Sequence, residues 1–137
     1  MKSVTIVSED RVGLLADISY ILGKSNINID GLHVDVVGGK AVIALEVRDP
    51  KKAGVILTNN GFMTTKPESI VIKVSADSMD KITEMLSGEK ISVTEMSMLS
   101  SDASDGIFAL NVDKPRKASK MLSSFIIGKN PEPGGYY

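Results

Sequence analysis

Val42-Ile43-Ala44-Leu45-Glu46-Val47 returns as Ile107-Phe108-Ala109-Leu110-Asn111-Val112, every residue shifted by 65 positions. Pro50, Lys52 and Ala53 meet Pro115, Lys117 and Ala118 at the same offset. A fixed offset held through a strand-like run and into the segment after it marks an internal repeat. The 137 residues are therefore read as two copies of one small unit.

Working outward from Val42, the first copy spells out its elements. Val4 to Val7 alternates as a strand, with Val4 and Ile6 on one face. The turn Ser8-Glu9-Asp10-Arg11-Val12-Gly13 follows, and then Leu14, Leu15, Ile18, Ile21 and Leu22 make one apolar helical stripe. Gly23 and Asn26 are stop signals. Residues 27–37 read as a strand, Gly38-Gly39 as a two-residue hairpin turn, and 40–48 as its partner. Asp49-Pro50 opens a second helix, Asp as cap and Pro in the first turn, which Asn60-Gly61 closes. Residues 62–66 are a short edge strand.

The same order returns from Ser69. Ile70, Ile72 and Val74 alternate. Asp77 is placed to cap a helix bearing Met79, Ile82, Met85 and Leu86. Residues 91–99 and 106–112 form a strand pair, and Asp113-Lys114-Pro115 opens a last helix with Ala118, Met121, Leu122 and Phe125 on one stripe. Both copies share an irregularity. Ile27 and Ile29 give way to Leu32, Val34 and Val36, and Ile91 and Val93 to Met96 and Met98, so the buried parity flips and predicts a bulge or sharp twist.

The expected fold is thus α+β: two βαββα(β) repeats in tandem, each a two-layer sandwich of the ferredoxin-like kind. Domain boundaries are expected at 1–66 and 69–129, with 130–137, Asn-Pro-Glu-Pro-Gly-Gly-Tyr-Tyr, as a flexible tail. A unit of ~65 residues buries only ~60% of its unfolded surface, so each copy should lean on the other or on a second chain.

Residues 4–62 resemble the ACT domain, the ferredoxin-like module that senses amino acids in metabolic regulation. The likeness is carried by Asp10-Arg11-Val12-Gly13-Leu14-Leu15, the helix to Leu22, and Asn26-Ile27-Asn28-Ile29. It is close over the first copy. The second copy reads Asp77-Ser78-Met79-Asp80-Lys81-Ile82 in the equivalent loop and lacks the glycine. There the resemblance is one of topology.

The loop has a physical reading of its own. Gly13 leaves the backbone unhindered at a helix start, where unpaired N–H groups attract a carboxylate. Asp10 is placed either to cap that helix or to take an ammonium group. Asp10, Arg11, Val12, Gly13 and Leu14 are the expected binding loop. The resemblance implies that Asn28 holds ligand across an interface between neighbouring domains; a strand-end Asn bonding local backbone is the alternative. Ser92 stands where Asn28 would recur, so the second copy is expected to be scaffold.

Other chemistry is thinly represented. Sixteen basic side chains face seventeen acidic ones, which leaves no field favouring nucleic acid or anionic lipid. There are no cysteines, so a disulfide framework, a thiolate metal site and a cysteine nucleophile are excluded. His33 is the single histidine and reads as an exposed strand residue. Asp102 and Asp105 with their neighbouring serines read as a polar loop, and Lys114, Arg116, Lys117 and Lys120 as a solvated helix face. Gly38-Gly39 lacks the helix and Lys of a phosphate cradle. Nor does the N-terminus show a signal-peptide core, or any stretch the length of a membrane span.

The sequence therefore predicts a cytoplasmic regulatory protein with no catalytic residues, cofactor, metal, nucleic-acid or membrane partner. Its expected ligand is an amino acid bound between ACT domains of a homodimer, signalling to an enzyme or transcriptional regulator. The rival expectation is a ligand-independent interaction module, motivated by sheet faces bearing Val7, Val42 and Ala44, and Val71, Ile107 and Ala109.

Overall fold

The computed structural model describes residues 3–66, 68–75 and 77–127. The expected tail at 130–137, and positions 1, 2, 128 and 129 of the expected domains, lie outside the described residues. The chain divides into two compact units, Met1–Pro67 and Glu68–Tyr137.

In the first unit β1 (Ser3–Glu9) leads through a loop into α1 (Leu14–Lys24), then β2 (Gly31–Val37), β3 (Lys40–Glu46), α2 (Pro50–Asn59) and the two-residue β4 (Met63–Thr64). The sheet order is β2-β3-β1-β4, antiparallel throughout. This is the ferredoxin-like arrangement. Register explains why the helices lie where they do. Val4 sits opposite Leu45 and Ile6 opposite Ile43, so these four share one face. Leu14, Ile18 and Leu22 of α1, spaced i, i+4, i+8, close over that face with Ala53 and Leu57 of α2.

Local signals stop and start the helices as the sequence indicated. Asn26 and Gly61 take left-handed φ values of 57° and 88° just past α1 and α2. Asp49 accepts a hydrogen bond from the Lys52 amide at 3.1 Å, with Pro50 opening the helix. Asp49→Ala is expected to destabilise the first unit by roughly 1 kcal/mol. Urea unfolding of the full chain checks this; an unchanged midpoint contradicts the capping role.

β2 departs from the sequence reading. It begins at Gly31, not at 27, and Ile27 and Ile29 pack against the core from the connection before it. The parity change therefore falls where the strand starts, and no bulge is needed there. Leu32, Val34 and Val36 lie opposite Leu45, Ile43 and Ala41, on the helix-side face. Yet they are 44%, 37% and 51% exposed, because this edge strand projects past the helices. Val7, Val42, Ala44, Val71 and Ile107, named in the rival expectation, are buried and belong to neither unit's helix-side core.

The second unit runs β5 (Ile70–Ser75), α3 (Met79–Gly88), β6 (Val93–Ser101), β7 (Asp105–Val112) and α4 (Pro115–Met121), with sheet order β5-β7-β6. Here the predicted irregularity is present: register shifts fall between Val93 and Glu95 and between Met98 and Ser100. The fourth strand shrinks to one bridge, Ile72 to Ile126, flanked by hydrogen bonds from Lys73 N to Phe125 O (2.9 Å) and Ile127 N to Val71 O (3.0 Å). Phe125, expected on the last helix, lies beyond its end and packs on the core from the turn that sets up this bridge. Asp77 does not cap α3. Ser78 occupies that position, and Asp77 accepts from the Ser75 hydroxyl. Asp113 likewise accepts from the Ser92 amide at 2.9 Å and leaves α4 without a side-chain cap. No helix among the described residues is long and apolar enough to cross a membrane.

Candidate functional site

The loop between β1 and α1 is held at the hairpin end of the first sheet. Glu9 pairs with Lys40, and the Asp10 amide donates to Gly39 O at 3.2 Å. The chain then turns through Gly13, whose φ of 84° and ψ of 0° is a left-handed conformation that favours glycine. Gly13 is the residue before α1, so Asp10 stands three positions too early to cap it. No side chain caps α1.

The Asp10 carboxylate has no hydrogen-bond or ion-pair partner among the described residues. Of the two roles left open by sequence, capping is ruled out. The helix keeps unpaired donors beside it. Leu14 N reaches Arg11 O at 3.3 Å and Asp17 N reaches Gly13 O at 2.9 Å, while the amides of Leu15 and Ala16 have no backbone acceptor among the described residues. Two free N–H groups at the positive end of an 11-residue helix are a ready seat for a carboxylate.

The remaining loop residues divide by role. Leu14 is buried in the core, so its side chain anchors the loop and forms no wall of an open site. Arg11 folds back to pair with Asp17 at 2.8 Å, with both side chains about half exposed. Val12 is 100% exposed at the tip. The expected binding loop ends at Leu14, and the free amides belong to the next two residues, Leu15 and Ala16. The glycine's left-handed turn is the signal that could have shifted that assignment.

Asn28 lies in the connection before β2, exposed, and its side chain makes no hydrogen bond among the described residues. The alternative of an Asn tied to local backbone is therefore not what the structure shows. The first unit does not bring Asn28 to the loop. α1 starts beside Gly13 and ends near Asn26, and its 11 residues span ~16 Å, so the two lie at opposite ends of the helix.

The equivalent positions of the second unit are engaged internally. Ser75 Oγ bonds both Asp77 and the hydroxyl of Ser78 in front of α3. Ser92 exchanges bonds with Asp113 through its amide and its carbonyl.

Comparison with known proteins adds one decisive match. Residues 2–58 fit the family model described as the ACT domain. The first unit is an ACT domain. As such it belongs to a family of regulatory modules, and the match runs through the loop, α1, Asn28, the hairpin and most of α2. A search of the curated proteins found no match. Among solved structures the chain is similar to a Bacteroides thetaiotaomicron protein, at 21% identity and a TM-score of 0.48, over 92% of this chain and 90% of that one. It is also similar to the regulatory subunit of aspartate kinase from Thermus thermophilus, at 11% identity and TM-score 0.42, covering 89% and 90%. A third is the small subunit of acetolactate synthase from Thermotoga maritima, at 13% identity and TM-score 0.39, covering 91% and 88%.

Proposed function

We propose that the ACT domain binds a free amino acid in the cytoplasm and acts as a regulator rather than a catalyst. The observation that carries this reading is the pairing of an unpartnered Asp10 carboxylate with the free Leu15 and Ala16 amides around Gly13. One group suits an ammonium and the other a carboxylate, which are the two ends of every amino acid.

The site is completed by a second chain. Asn28 lies a helix length from the loop of its own domain, so a two-fold axis that sets β2 beside β2 of another copy is needed to bring them together. Such an axis reverses top and bottom, and each loop then meets the other copy's Asn28. Ligand at that junction links binding to assembly, and assembly is what an enzyme or transcriptional partner would read. The second domain, with its corresponding positions already bonded, serves as scaffold.

Isothermal titration of the full chain against the twenty common amino acids tests this. At least one is expected to bind with a Kd below about 1 mM. Heats indistinguishable from dilution for all twenty sink the reading.

A further inference from the structure

The helix α2 carries in its middle a glycine that nothing around it requires. Gly54 has no positive φ, and a Cβ built on it would meet only Val4 Cγ2, at 3.9 Å, an ordinary contact. Glycine weakens a helix interior relative to alanine, so a side chain here would stabilise the helix without strain. At the 65-residue offset the second unit has Ser119. An unforced glycine inside a helix marks a place kept clear for a close approach.

What Gly54 keeps clear is a groove of about 500 Å³ between α2 and β4, within the size range of small-molecule sites. Val4 and Gly54 line its floor, and Val55, 60% exposed, its rim. The chain reverses between α2 and β4 at Gly61, so the groove has two unlike ends. Near the turn Thr58 and Thr64 close it. Their hydroxyls lie 3.4 Å apart, and the Thr58 hydroxyl donates to Gly54 O at 2.7 Å. Lys51 lines the other end, ~10 Å back along α2, and Lys66 follows Thr64 toward the same end. Among the described residues no Asp or Glu lines the groove.

We propose that this groove is a second ligand site, taking a small aliphatic carboxylate. The tail lies over Val4 and Gly54 toward the threonines, where each methylene removed from water adds to affinity. The carboxylate lies at Lys51 and Lys66. Because α2 starts at Pro50, its dipole adds positive potential at that same end. A free amino acid suits the groove poorly, since its ammonium would stand near two lysines with no acid to receive it. The groove shares no residue with the Asp10 loop or Asn28, so the inference goes beyond the proposed function and does not depend on it.

Hexanoate is the probe, in a proton–nitrogen NMR titration of the full chain. Saturable shifts are expected at the amides of Gly54, Val55, Thr58 and Thr64, with a Kd below about 10 mM. Acetate lacks the tail and should bind roughly tenfold or more weakly. Hexylamine has the tail but the opposite charge, and should shift none of these amides. Gly54→Leu fills the groove and should abolish hexanoate binding while the urea midpoint stays at or above that of the natural protein. Lys51→Gln is expected to weaken hexanoate about two- to fivefold, and Lys51→Arg to retain it. No saturable shift from hexanoate, equal shifts from hexylamine, or undiminished binding in folded Gly54→Leu overturns the site. If Gly54→Leu unfolds, the Lys51 pair decides: equal affinity in Lys51→Gln overturns it. Amino-acid titration of Gly54→Leu should match the natural protein. The two sites therefore fail separately: hexanoate binding without any amino-acid binding keeps the groove and removes the sensor, and the converse does the reverse.

Discussion

Asp10→Ala is expected to weaken amino-acid binding by about 10- to 150-fold, equivalent to the ~1.5–3 kcal/mol of a hydrogen bond to a charged group. The estimate follows from what the carboxylate does in the free protein, which is to bond nothing among the described residues. Its removal should therefore leave the fold intact and act only when an ammonium group is present. Thermal unfolding without ligand should match the natural protein, while titration calorimetry shows the loss. Gly13→Val should produce a comparable loss by a different route, since a β-branched residue is strained at a φ of 84° and would disturb the turn that exposes the amides. Unchanged affinity in Asp10→Ala would remove the carboxylate from the site.

Leu22→Ala is expected to cost about 2–5 kcal/mol, the range for a large-to-small change in a packed core. Leu22 is fully buried on the α1 stripe, and its carbonyl also accepts the Ile27 amide that turns the chain out of the helix. A domain of this size holds roughly 3–10 kcal/mol in total, so most of its stability is at stake. Leu86 repeats the arrangement in the second domain, fully buried and accepting from Ile91. Leu86→Ala should therefore produce a loss of similar size there. Urea titrations followed by circular dichroism would show both; a loss under about 1 kcal/mol in either would mean the site collapses far more readily than close packing allows.

The order of elements was readable because hydrophobic period, caps and turn glycines agreed at each boundary. Asp49-Pro50, Asn26 and Gly61 each act as their residue types dictate. Where the reading slipped, tertiary context outweighed local pattern. Leu32, Val34 and Val36 alternate like a buried strand, but an edge strand can point apolar side chains toward the helix layer and still leave them bare. Asp77 and Asp113 look like caps, yet each finds a nearer partner in Ser75 Oγ and Ser92 N. Phe125 fits a helical stripe although the helix has already ended.

The strand-to-helix turn at Gly13 was legible in the sequence, and α1 starts just after it. The Asp10 carboxylate and the Asn28 side chain make no hydrogen bond among the described residues, and Gly13 takes the left-handed turn that its residue type allows. Leu14 proved to be core, and its amide donates to Arg11 O, so the available donors lie at Leu15 and Ala16. Sequence pattern gives the location of a helix start well and the fate of each amide poorly, because the latter depends on how the preceding turn closes. Nor could it show that Asn28 and the loop lie a helix length apart.

The most direct test of an amino-acid site at this loop is a proton–nitrogen NMR titration of the full chain with the amino acid that calorimetry selects. The largest shifts are expected at the amides of Leu15 and Ala16, with further changes at Gly13 and at the Asn28 side-chain amide. Saturable binding whose shifts avoid residues 10–16 and 28 would contradict the account.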